Sequence, residues 1–359
     1  MMASRPPQAV AVAPTAAITG IGLSCCAGNQ PFALFGAVGA GLAAAAPHPV
    51  LRAPGQDAPI LTASMPQLEG LDTAHDRISL LAVEALREAA AQLPATIASK
   101  EILVLTLIPG PDSGRGRQLE LSSLPATLAA AHPRLASACF RFATPEQGAV
   151  AQLQSACAEL AQGAWSALLF GGADSLVDDA TCVTLAQAKT VMAVGAASGI
   201  VPGEGSAYLL LQANTNTGPW VQLCASHAAT EPHAGHGDAH KMTGLTTALQ
   251  AALATANLSP AAVGTLVLPF GSRPADAFEW HQTVEALWSR RDNIPRRFEE
   301  LRPSTTLGDT GAATLPLALA LGCARLNFDR PAVQNLLVCE ASDAAPRGAV
   351  CLKHGTRPQ

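Results

Sequence analysis

The sequence predicts a layered α/β protein with mixed sheets, and three observations carry that reading. Buried-type apolar runs alternate with stretches of helical spacing, and the alternation runs twice over the chain. Hydrophobic residues make up 49% and charged residues 14% of 359, which suits a large buried core and excludes a disordered chain. The length fits one large domain or two ordinary ones, and the repetition divides the chain into residues 1–212 and 213–359.

In the first half, Thr15 to Gly22 reads as a strand, followed by a helix through Phe32 to Phe35 with Asn29 as its cap and Pro31 in its first turn. The proline-rich stretch from Pro47 to Gln67 reads as surface loop. Asp76 to Leu93 is helical, with Ile78, Leu81, Ala82, Ala85 and Leu86 at helical spacing. Glu101 to Ile108 is a buried-type strand. Val150, Leu153, Cys157 and Leu160 fall on one helical face, and Gly163 is placed to end that helix. Ala167 to Phe170 is a short strand running into Gly171-Gly172-Ala173-Asp174. Ser206–Gln212 and Trp220–Cys224 read as adjacent strands across the turn-like Asn214–Gly218. In the second half, helices are predicted over Leu245–Ala256, Ala277–Trp288 and Gly311–Leu326. Strands are predicted over Gly264–Leu268, Leu336–Cys339 and Ala349–Lys353.

A net charge of −5, with no basic run and no acidic tail, leaves no electrostatic footprint for nucleic acid or anionic lipid. Nine cysteines are scattered without CxxC pairs, the pattern of reduced, buried thiols in a cytoplasmic protein. The uncharged segment from Pro6 to Leu51 is broken by Pro14, Gly20, Gly28, Asn29 and Pro31. It is neither a signal peptide nor long enough in apolar run to span a bilayer.

The stretch Phe140-Arg-Phe-Ala-Thr-Pro-Glu-Gln-Gly-Ala-Val-Ala-Gln-Leu153 turns from an apolar run into a helix. Such a turn is where an enzyme places a nucleophile, because the helix dipole and free backbone N–H groups favour negative charge there. The turn itself carries Thr144, Glu146 and Gln147, with no serine or cysteine.

Six colinear segments resemble the β-ketoacyl synthases of the thiolase fold. They are Ala17–Gly22, Asp76–Leu86, Leu168–Asp174, Val201–Leu210, Gly271–Glu279 (keeping Gly271, Asp276 and Glu279) and Leu307–Ala313. The resemblance implies a thiolase-like fold of two βαβαβ-type halves in α/β/α/β/α layers, and a dimer. It also implies a reaction that needs a cysteine nucleophile, two histidines and a lysine. On the family's frame, the nucleophile position falls on Glu146 or, with a one-residue slip, on Gln147. The histidine positions fall on Leu268 and Asp309, and the lysine position falls on Ser304. The nearest thiols, Cys139 and Cys157, lie in the flanking strand and within the following helix. The closing glycine-rich loop is replaced by Cys339-Glu-Ala-Ser-Asp343. Leu268 cannot donate to an enolate oxygen, Asp309 would bring like charge towards one, and a carboxylate at Glu146 is a poor acyl acceptor.

This pattern resembles the chain length factors, in which an EQ pair followed by glycine, here Glu146-Gln147-Gly148, stands at the nucleophile turn. The resemblance implies a catalytically degenerate subunit that pairs with an active ketosynthase in polyketide, aryl polyene or fatty-acid-like biosynthesis. It would work beside an acyl carrier protein, with no cofactor and no metal of its own. The compressed interval from Gly172 to Gly203 implies trimmed loops over the pocket. The alternative is a malonyl-carrier-protein decarboxylase or acyltransferase using Glu146 or Gln147.

Other groupings were weighed against this. His227, His233, His236 and His240 have spacings that can supply zinc ligands, but a polar loop is the simpler reading. Gly203-Glu204-Gly205 lacks the Lys-Ser/Thr of a phosphate loop and reads as a tight turn, with Glu204 bonding backbone amides. Asp174, Asp178 and Asp179 read as turn caps. Arg290, Arg291, Arg296 and Arg297 read as a solvated basic face or a docking patch for an acidic carrier protein.

Overall fold

The computed structural model describes residues 16–55, 57–213, 221–232, 234, 242–271, 273–288, 298–328, 333–342 and 344–355. The first half begins with β1 (Ala16–Cys25), which ends three residues later than expected, and α1 (Pro31–Gly39). Gln30, not Asn29, is the residue before the first helical turn, and its side chain makes no cap bond; Pro31 supplies the fixed φ instead. The proline-rich stretch is not a loop. It forms the hairpin β2 (Ala46–Arg52) and β3 (Pro59–Thr62), short and outlying enough to tolerate prolines that lack a ladder donor.

Next come α2 (Ala74–Ala91), capped by Thr73, which accepts from Asp76 N, and β4 (Ile102–Leu107). They are followed by α3 (Gly114–Gln118), α4 (Leu124–Ala129), β5 (Cys139–Ala143), α5 (Ala149–Ala161) and β6 (Ala167–Ser175). β6 carries on through Gly171, Gly172 and Asp174, because those glycines let the strand lie flat against its neighbours. A Cβ at Gly171 would collide with the Tyr208 ring, and one at Gly172 would lie 2.6 Å from Ala312 O. α6 (Asp179–Gln187) and β7 (Glu204–Ala213) complete the half.

The second half runs β8 (Val221–Thr230), α7 (Gly244–Thr255), β9 (Thr265–Val267), α8 (Pro274–Leu287) and β10 (Glu299–Leu301). It closes with α9 (Ser304–Leu307), α10 (Thr314–Phe328), β11 (Asn335–Ala341) and β12 (Pro346–His354). A 3-10 turn over Gly311–Ala313 leads into α10. The 18-residue stretch Gly311–Phe328 is long and apolar enough to cross a bilayer, but 72% of it is buried inside the protein. The turn over Asn214–Gly218 and Trp220 lies outside the described residues.

The ten main strands run in the order β10-β9-β11-β12-β8-β1-β7-β6-β4-β5. The order contains one pattern twice. β4 pairs in parallel with β5 and β6, and β6 pairs antiparallel with β7, which pairs antiparallel with β1. Likewise β9 pairs in parallel with β10 and β11, β11 antiparallel with β12, and β12 antiparallel with β8. The halves join through three residue pairs, Ala16–Ile18 against Val221–Leu223. β7 and β8 are therefore not sheet neighbours, contrary to expectation, because β1 stands between them.

Helices α5 and α10 lie between the two halves, packing on strands of both. α2 covers the outer face of β1, β6 and β7, and α7 covers β8 and β12. The result is five layers. Strands of the first half feed two cores at once: Leu103, Leu105, Leu107, Leu168 and Phe170 face the central helices, while Ile102, Val104, Ala167 and Leu169 face α2. Strands buried on both faces read as unbroken apolar runs, and this made them legible in sequence.

Candidate functional site

A cavity of about 810 Å³ opens where the C-terminal ends of β6 and β11 meet the N-terminal ends of the central helices. Its wall includes Gly110, Arg115, Glu146, Ala149, Asp174, Arg273, Asp276, Arg302, Ser304, Asp309 and Glu340. The wall residues among those described include no histidine and no lysine; Cys339 is among them but is buried, and burial pushes its thiol well up.

The nucleophile-type turn is a 3-10 turn over Pro145–Gln147, followed by Gly148 at φ 81° and then α5. Glu146 is exposed and reaches the cavity, packed over Gly110, where a Cβ would lie 2.8 Å from Glu146 Oε2. Gln147 turns back, and its Oε1 accepts from Thr144 N at 3.0 Å. The two candidates thus separate: one carboxylate lines the cavity and one amide holds the turn. Cys157 is buried in α5 with its thiol pushed up to about 12 by burial, and Cys139 begins β5; neither lines the cavity.

The N-terminus of α5 already holds a carboxyl group. Glu340 at the end of β11 accepts from Ala149 N at 2.5 Å and from Val150 N at 2.9 Å, and is 8% exposed. Burial raises its pKa, opposed by the two amide bonds and the charge of Arg347. The cradle depends on Gly348, the strand partner of Glu340: a Cβ there would stand 2.5 Å from Val150 Cβ and 2.7 Å from Glu340 Oε2. Glu340 was not singled out in sequence. The signal that could have found it was the loss of the glycine-rich loop at Cys339–Asp343.

The other expected positions divide. Leu268 is fully buried in the outer core beneath α7 and lines no part of the cavity. Ser304 lines it and donates to Phe270 O at 2.6 Å. Asp309 lines it and accepts from Gly311 N at 2.9 Å; burial raises its pKa, against that bond and the charges of Arg115 and Arg273. The backbone around Asp309 meets the Gly203-Glu204-Gly205 segment. Asp309 N donates to Val201 O at 2.7 Å, and Gly203 N donates to Asp309 O at 2.9 Å. Gly203 is glycine for close approach, since a Cβ would collide with Leu307 O, and not for a tight turn; Glu204 and Gly205 belong to β7. Glu204 takes one amide, Met65 N at 2.7 Å, and pairs with Arg77 at 2.7 Å.

Asp174 is not a turn cap. It is fully buried, holds Arg115 through two bonds of 2.8 and 3.0 Å, and accepts from Ala312 N at 3.0 Å just ahead of α10. Desolvation pulls Arg115 down, but Asp174 outweighs it and leaves the guanidinium raised. Asp178 does cap, accepting from Thr181 N at the start of α6, whereas Asp179 lies within that helix, its side chain 82% exposed. Asp276 accepts from Gly271 N and pairs with Arg273, and Glu279 pairs with the buried Arg347 at 2.6 Å. The compressed Gly172–Gly203 interval supplies Met192, Gly199, Ile200 and Val201 to the cavity wall. Among the described residues no group of His, Cys, Asp and Glu could hold a metal ion. His227 lies on β8, while His233, His236 and His240, and Arg290, Arg291, Arg296 and Arg297, lie outside the described residues.

No family model matches the sequence, and a comparison with curated proteins finds no match. Solved structures do resemble it over nearly the whole chain. The ishigamide ketosynthase/chain length factor is 19% identical at a TM-score of 0.68, covering 95% of this chain and 100% of that one. A type II polyketide ketosynthase, solved in complex with its acyl-carrier protein and bound to the hexaketide, is 12% identical at 0.70, covering 95% and 99%. A β-ketoacyl synthase from Burkholderia phymatum is 14% identical at 0.72, covering 96% and 100%. At these identities the likeness is one of fold: the chain has the thiolase-like fold of the ketosynthases.

Proposed function

We propose that this protein is a non-condensing, ketosynthase-like subunit that acts as the chain length factor of an active ketosynthase in polyketide, aryl polyene or fatty-acid-like biosynthesis. The observation that carries the reading is the carboxylate of Glu340 on the amides of Ala149 and Val150. In a condensing enzyme, a helix terminus of this kind lowers the pKa of a thiol and steadies developing negative charge. Here an internal carboxyl group takes both N–H groups, so they are not free to hold an incoming acyl oxygen. The cavity wall adds Glu146, Ser304 and Asp309 where the family's frame calls for cysteine, lysine and histidine.

The site assignment of these positions belongs to the same proposal, as do the two ketosynthase-like halves 1–212 and 213–359, the carrier protein as a partner of the complex, and a cytoplasmic setting. β5 supports a partner: it stands at one edge of the sheet, with one side free of any other described strand, and it leads straight into the Glu146 turn. An open edge pairs readily with another chain.

Co-expression with a ketosynthase encoded beside it is expected to give a heterodimer that survives gel filtration. Two separate peaks at micromolar concentration would sink the proposal. The decarboxylase or acyltransferase alternative predicts turnover of malonyl-carrier protein by the isolated chain, abolished in Glu146→Ala; no turnover is expected.

A further inference from the structure

Away from the cavity, β8 and β12 carry two thiols against each other. Cys224 Sγ and Cys351 Sγ are 3.1 Å apart, and the Cys224 thiol donates to Cys351 O at 3.3 Å. The register explains the contact. Cys351 pairs with Ala225, and the next residue, Leu352, pairs with Leu223, so Cys224 is the extra residue of a bulge. Both side chains lie on the face covered by α7 and join the same apolar cluster.

We propose that Cys224 and Cys351 form a modification site: a peroxide-sensitive dithiol that closes to a disulfide between neighbouring strands. A disulfide needs a sulfur separation of about 2.0 Å, so the two sulfurs must approach by about 1.1 Å, within reach of small χ1 rotations. The chemistry balances with one peroxide. The Cys224 thiolate, its proton given up to solvent, attacks a peroxide oxygen and becomes a sulfenic acid as the O–O bond breaks, and the expelled hydroxide takes up that proton to give water. The Cys351 sulfur then displaces hydroxide from that sulfenic sulfur, and the thiol proton completes a second water. The protein loses two electrons and two protons, and the peroxide is reduced to two waters.

Two further observations single out this pair. Cys224 is half-buried, whereas Cys351 is buried, so attack begins at the accessible sulfur. The contact with Cys351 lowers the Cys224 pKa, helped by the charge of Lys353 and opposed by burial, and the same contact raises that of Cys351. By contrast, burial pushes Cys25, Cys157 and Cys182 up to about 12 and Cys26 to about 11. Nucleophilic attack requires the thiolate, and the pair meets that need where the other buried thiols do not.

The test is peptide mapping of the full-length chain, fully reduced, exposed to graded hydrogen peroxide and then alkylated. The expected result is a Cys224–Cys351 cross-linked peptide that appears before modification of Cys26 or Cys139 and disappears on treatment with dithiothreitol. In Cys351→Ala, Cys224 should instead be trapped by dimedone as the sulfenic acid. Recovery of Cys224 and Cys351 as free thiols, at peroxide concentrations that oxidise Cys26 or Cys139, overturns the proposal. The mapping of the unsubstituted chain decides the matter even if the variant fails to fold.

Discussion

The two halves solve the same structural problem with different charges. In each, the fourth strand of the pattern pairs antiparallel with the strand before it, and a glycine faces a buried carboxylate: Asp174 opposite Gly205, and Glu340 opposite Gly348. Each carboxylate reaches the start of the central helix contributed by the other half. The residue before each glycine forms a buried ion pair of opposite polarity, Glu204 with Arg77 and Arg347 with Glu279. The halves differ in compensation. Asp174 takes two amides, Ser175 N and Ala312 N, together with a bidentate arginine, while Glu340 takes two amides and no arginine bond. The first is a structural tie between elements. The second holds a carboxyl group on the amides at the start of α5, beside the cavity.

The largest test of that contrast is Asp174→Ala. It leaves the Arg115 guanidinium without its partner and should cost about 3–5 kcal/mol, read by urea denaturation. Glu340→Ala should cost about 2 kcal/mol, because losing two amide bonds is partly offset by no longer burying a carboxylate. Equal losses in the two variants would erase the distinction. A third test uses pH. The folded pKa of Glu340 is raised, so above the unfolded carboxylate pKa the folded state binds more protons than the unfolded state. Stability therefore falls as pH rises from that value through the folded pKa. Glu340→Gln should be less stable than the parent near the lower end of this window and show a shallower decline through it; an unchanged slope would assign the pH dependence to other groups such as Asp309. The smallest test separates the two residues of the turn. Gln147→Ala should lose about 0.5–1 kcal/mol with its cap bond, and exposed Glu146→Ala should stay within about 0.5 kcal/mol.

The architecture was largely legible because doubly buried strands and amphipathic helices leave strong local patterns. The order Leu103-Val104-Leu105 needs no tertiary knowledge to read as a buried strand. What failed had non-local causes. β1 enters between β7 and β8 through pairings about 200 residues apart in sequence, which no local pattern records. Prolines in β2 argue against a strand unless the strand is known to be peripheral. At the site, the turn before α5 was readable, because Thr144 to Gly148 form it locally. The occupant of the helix terminus was not, because Glu340 lies about 190 residues from the amides it binds, and a lone glutamate among Cys339–Ser342 looks like ordinary strand-end polarity. Asp174 was misread for the same reason, since Arg115 lies 59 residues before it and Ala312 138 residues after it.

The seam between the halves is only three residue pairs long, yet each half lends its central helix to the other. Neither repeat can complete its middle layer alone. A chain whose halves interlock in this way should melt as a single cooperative unit rather than as two modules, with one calorimetric transition whose van't Hoff and calorimetric enthalpies agree.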